Sequence, residues 1–223
     1  MIDDPNIFDI TRISFDDFIT FLFDREYVPI PHTQNEPGPW FWYSTVWFDP
    51  ALVASHYIRL FQNPGFLRDR FNVGQLEQAF WAIKSGNLDC SVVNLIWDDS
   101  LPFDVRENCV RSMELLFAQL FSDCPLDTAV SMWWDSLAYD WACGNRKRTN
   151  GGEDAQMQDV MFETLTKILQ QPSLVSQGAA LHGLGHLHHP GTVEVIAHYL
   201  SRNPTLDDDF REFALRAAKF DVM

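Results

Sequence analysis

Positive charge is scarce in this chain: 16 Lys and Arg stand against 31 Asp and Glu in 223 residues, a formal net charge of −15. A surface of that sign repels phosphate backbones over any large contact area, which argues against DNA or RNA as a partner and would steer basic proteins toward the chain. The same charge also serves plain solubility, and at this point both roles stay open. Cysteine is equally sparse. Cys90, Cys109, Cys124 and Cys143 are scattered without C-x-x-C spacing, so neither a cysteine zinc site nor a disulfide ladder is indicated, and reduced thiols in a cytosolic protein are expected. No apolar run approaches the length that crosses a bilayer, and Met1 to Pro5 carries no basic or apolar stretch of signal-peptide type. The expectation is a soluble, cytoplasmic protein without a membrane partner. G-x-S-x-G and H-E-x-x-H patterns are absent as well, which removes the commonest hydrolase and zinc-protease signatures.

What the chain does contain is helical periodicity. Ser14 precedes Phe15, Phe18, Ile19 and Leu22, which share one helical face, and Asp17 sits where a first-turn carboxylate suits the helix dipole. Asp49-Pro50 is a strong helix start, with Val53, Tyr57, Leu60 and Phe61 as its apolar face and Asn63-Pro64-Gly65 as its end. Asn72 and Gln75 form a capping-box pattern ahead of Leu76, Ala79, Phe80 and Ile83. A shorter helix is expected from about Leu88 to Trp97. Pro102 introduces a long one striped by Val105, Cys109, Met113, Leu116 and Leu120, in which Glu107 and Arg111 can pair across a turn. Pro125 is expected to open a helix with Val130, Trp133, Leu137 and Trp141 on one face, and Met157, Met161, Leu165 and Ile168 mark another. Between Val28 and Trp47 four prolines break helical runs, so an ordered loop or short strand pair is expected there, packing Trp40, Phe41, Trp42, Tyr43 and Trp47 over the first helices.

The C-terminal stretch is the most informative. Ala179-Ala180, then Leu184-Gly185 a turn on, a His-Pro turn at His189-Pro190 and an apolar second helix through Val193, Ile196 and Leu200 resemble a HEAT-type helical repeat. Setting Ala180-Leu181 against Ala214-Leu215 gives a spacing of about 34 residues, and Val105 to Met113 echo the motif about two repeat lengths upstream. The resemblance implies an all-α fold, a HEAT-like right-handed stack of antiparallel helix pairs forming an α-α superhelix, with an irregular aromatic and proline-rich N-terminal cap. On that basis residues 1–223 are expected as a single α-helical repeat domain: a cap over 1–47, divergent helix pairs over 48–143, a loop over 144–152 and a HEAT-like part over 153–223. Phe210 to Phe220 would act as a C-terminal cap. Solenoids of this kind bind other macromolecules along their long surfaces.

Candidate chemistry is thin. His182 and His186 lie four apart on one helix face and could share a metal, with His188 or His189 adding a ligand from the next turn. Deoxyhypusine hydroxylases, a metalloenzyme class built on HEAT repeats, hold a di-iron centre with His-Glu dipeptides, yet none of the seven histidines here precedes a Glu. With no third ligand specified, the pair is taken as a polar helix face, and no metal, cofactor or catalytic residue is assigned. Glycines 178, 183 and 185 read as positions where helix backbones approach closely, because a phosphate loop needs a strand, turn and helix context. The basic run Arg146-Lys147-Arg148 reads as a solvated loop. Trp134, Asp135, Asp140 and Trp141 are the candidate binding residues, since aromatic surroundings there could hold a basic ligand. The function expected is a HEAT-like adaptor, inhibitor or immunity-type module that uses an acidic, aromatic-containing surface to bind a basic protein partner. A metal-dependent or lyase-like enzyme using the His182/His186 cluster is the alternative.

Overall fold

The computed structural model describes residues 4–29, 31, 37–124, 126 and 128–222, and it is all-α apart from one small sheet. The chain forms two compact units, residues 1–109 and 110–223. Their boundary falls inside a helix.

In the first unit, β1 (Ile7–Asp9) pairs in parallel with β2 (Thr45–Trp47), in the register Ile7 to Thr45, Phe8 to Val46 and Asp9 to Trp47. The strand in Ile7–Asp9 escapes the sequence reading because three residues are too few to show an alternation. The α1 helix (Phe15–Phe23) starts where its cap dictates: Ser14 Oγ accepts from the Asp17 N–H and donates to the Asp17 carboxylate at 2.6 Å. Asp49 accepts from the N–H groups of Ala51 and Leu52 ahead of α2 (Pro50–Gln62), whose Val53, Tyr57, Leu60 and Phe61 are fully buried. After the short α3 (Leu67–Arg70), the reciprocal Asn72–Gln75 box opens α4 (Val73–Ile83). Helix α5 is only Val92–Leu95, because Ser91 caps it and the residues from Leu88 to Cys90 run as turns. The core of this unit is aromatic, with Phe18, Tyr57 and Phe61 in contact and Phe23 wedged against Phe71 and Phe80.

Helix α6 (Phe103–Leu116) continues into a π-helical turn at Phe117–Phe121. Residues 129–134 run as turns ahead of α7 (Asp135–Ala142), so that helix begins later than its apolar pattern implies, and Pro125, its expected opening residue, lies outside the described residues. The apolar positions survive the shift: Val130, Trp133, Leu137 and Trp141 are all buried. Then follow α8 (Gly152–Leu169), α9 (Leu174–Leu187), α10 (Thr192–Arg202) and α11 (Asp208–Ala217). Helix α9 is the axis of the second unit. It touches α7, α8, α10 and α11, and from Ser176 on it is buried nearly all round, which is why its sequence is mostly apolar or small instead of striped.

Glycines make that central position possible. A Cβ on Gly183 would stand 2.7 Å from Trp134 and from Leu165, and one on Gly185 would meet Val222. The close approach is therefore between the α9 backbone and neighbouring side chains, not between two helix backbones. Ala180, Leu184, Leu187 and Ile196 are buried as expected, whereas Val193 is half exposed on the outer side of α10. Gln158 of α8 donates to the Leu187 carbonyl at 2.8 Å, satisfying one of the carbonyls that the end of α9 leaves open.

Candidate functional site

Each unit has a place where polar groups meet aromatic rings. In the first, Phe41 is buried and Trp40, half-buried, packs edge-on to Phe8 and Phe21. Trp42, Tyr43 and Trp47 are 39%, 57% and 58% exposed, and the sheet register sets Asp9, also exposed, beside Trp47. Asp89 accepts the Val46 N–H at 2.7 Å and so ties down the middle of β2. Residues 1–109 carry sixteen Asp and Glu against seven Lys and Arg, more than half of the chain's excess negative charge.

The second place is the first turn of α7 against α9. Trp134, the residue before α7, and Trp141 within it both face the core: Trp134 is fully buried and Trp141 nearly so. The two rings expected on a binding surface are therefore packing residues. Asp140 accepts from Asn145 Nδ2 at 3.1 Å and pairs with Arg146 Nε at 3.2 Å, and Arg146 also reaches Asp154 at 2.7 Å. Arg148 holds Asp159 at 2.6 Å. Arg146 thus clamps α7 to α8, Arg148 ties the loop to α8, and the loop includes a 3-10 turn at Arg148–Asn150.

Asp135, the fourth expected binding residue, turns toward the histidines. Its Oδ1 lies 3.3 Å from Nε2 of His182 and 3.3 Å from Nε2 of His186, and the two Nε2 atoms are 3.0 Å apart. Both imidazoles are buried. His182 Nδ1 donates to the Ser131 carbonyl at 3.1 Å; a carbonyl can only accept, so a proton sits on Nδ1, and in the neutral ring Nε2 carries the lone pair. The next two histidines go elsewhere. His188 caps α9 in the left-handed conformation, φ 52°, and packs on Phe220. His189 stacks on Phe162, accepts from the Gly191 N–H and donates to Asp159 at 2.9 Å. Burial, its largest influence, holds the His189 pKa below the usual value. Sequence reasoning paired the right histidines but looked for their third partner in the following turn. It missed Asp135 because only the packing of α7 on Gly183 brings that residue to α9, and no local spacing encodes it.

No family model, curated protein or solved structure matches the chain. Geometry alone must therefore carry the function. The first place offers a stacking and hydrogen-bonding surface of exposed aromatic rings in an acidic unit. In the second, Asp135, His182 and His186 form a group of donor atoms that could hold a cation.

Proposed function

We propose that this protein is a HEAT-like, cytoplasmic protein-binding module of adaptor, inhibitor or immunity type that engages a basic protein through an acidic, aromatic-containing surface. The observation that carries the reading is the exposure of Trp42, Tyr43 and Trp47, three large rings within six residues of an acidic unit. Exposed Trp and Tyr supply large contact area at low side-chain entropy cost and are the commonest binding hot spots, while rim carboxylates set the association rate and select against acidic partners. On this reading the surface lies on the N-terminal segment, with Asp9 at its edge, and α8 to α11 supply the stacked helical repeat.

A partner recovered from native lysate by the wild-type chain should be lost by Trp42→Ser/Trp47→Ser. The double variant should melt at the wild-type temperature, because neither ring is buried. Association should slow as salt rises, since charges farther apart than about 8 Å are screened at physiological ionic strength. Equal recovery by the double variant, or a rate indifferent to salt, would count against this surface.

A further inference from the structure

We propose that Asp135, His182 and His186 form a binding site for one divalent first-row transition ion, of which Zn2+ is the best fit, with water completing its shell. The proposal concerns residues 110–223 only and does not depend on the protein-binding reading above.

The three donor atoms stand 3.0, 3.3 and 3.3 Å from one another. Ligands bound at about 2.0–2.1 Å around a single ion are separated by about 3.4 Å when tetrahedral and by about 3.0 Å when cis on an octahedron. The observed triangle has the size that one ion imposes. Two imidazoles and one carboxylate also form a borderline donor set that suits Zn2+ and its neighbours better than Mg2+ or Ca2+, which take oxygen ligands.

Hydrogen bonding explains the cluster less well. With His182 neutral and its proton on Nδ1, the 3.0 Å approach of the two Nε2 atoms is satisfied by a single proton on His186 Nε2. Asp135 Oδ1 then has no donor, and it is indeed a buried oxygen without a hydrogen-bond partner. A buried, unpaired carboxylate oxygen is costly. A cation placed between the three atoms satisfies all of them at once. The Ser131 carbonyl is also the kind of outer partner that metal-binding histidines have, since it fixes both tautomer and ring orientation.

The supporting architecture is built in. His182 and His186 share one face of α9 at i, i+4, and Gly183 between them admits Trp134, the residue before Asp135. Tyr139, one turn after Asp135, lies edge-on to the His186 ring and is itself exposed. The Asp135 side chain is 25% exposed although its Oδ1 is buried, and three protein ligands leave a coordination position for water.

The test uses untagged, full-length protein stripped with a chelator and titrated with Zn2+, followed by calorimetry, metal analysis after gel filtration and thermal melting. Wild type should bind one equivalent per chain and melt higher with Zn2+. Asp135→Asn keeps the side-chain shape and removes the charge; it and His186→Gln should each weaken binding more than tenfold and lose most of the thermal shift. His189→Gln, outside the site, should bind as wild type does. Co2+ should give the visible absorption of a low-coordinate site in wild type, a readout that needs no variant to fold. Failure of wild type to bind an equivalent of either ion, or full-affinity binding by folded Asp135→Asn, would overturn the proposal.

Discussion

Gly183 shows how much one residue can decide. Its missing side chain is the space that Trp134 and Leu165 occupy, so Gly183→Ala forces a methyl group to 2.7 Å from both. The Leu165 methyl can yield, but the atoms met on Trp134 are Cβ and Cγ, at the root of a fully buried side chain, and Cβ moves only with the backbone. Overpacking of this kind costs about 1–3 kcal/mol, and urea unfolding of Gly183→Ala should show a loss in that range, against the gain of up to about 1 kcal/mol that Ala brings to an ordinary helix interior. His189 makes a second residue-scale prediction. Its folded pKa lies below the unfolded value, mainly through burial, so the folded state binds fewer protons and stability rises with pH. That contribution is complete above the ordinary value of 6.5 and is lost as pH falls through the lowered folded one. His189→Gln should flatten the stability profile below about pH 6.5; an unchanged slope there would show that the imidazole titrates freely.

At the scale of elements, legibility followed locality. Ser14, Asp49 and Asn72 each act on backbone groups within three residues, so the starts of α1, α2 and α4 could be read from the chain. Asp49→Ala should remove two such bonds and cost about 1 kcal/mol, measurable by chemical denaturation, whereas Asp49→Asn should cost much less because it still accepts. Where the controlling contact is distant, the reading failed in specific ways. The apolar face of α7 was correct, but its first turn is not helical, because the residues before Asp135 run as turns. Trp141 stands on the apolar face with Val130, Trp133 and Leu137, so its burial is legible, whereas nothing local decides where Trp134 points. The same distance effect hid the candidate site: the i, i+4 histidines are visible in sequence, but Asp135 reaches them only through tertiary packing. The exposed trio Trp42, Tyr43 and Trp47 was hidden for the opposite reason, since nothing in an aromatic run says which rings face inward.

For the molecule as a whole, the excess of negative charge acts on stability and on association with opposite signs. A net charge of −15 repels itself within the folded chain, and the compact state carries that cost because it holds the carboxylates closer than the unfolded chain does. Added salt screens this repulsion, so the thermal midpoint should rise between about 0.01 and 0.15 M NaCl, as the screening length falls from about 30 Å to about 8 Å. The ion pairs of Arg146 and Arg148 work against that trend, but they are short-range and partly exposed, and each is worth little beside the summed repulsion of the unpaired acids. Over the same salt range, capture of a basic partner should become slower, because screening removes the field that steers it. Melting and association measured on one salt series therefore separate the two roles of the charge. A rising midpoint with a constant association rate would leave the acidity as a matter of solubility, while a rising midpoint with a falling rate would tie it to partner selection.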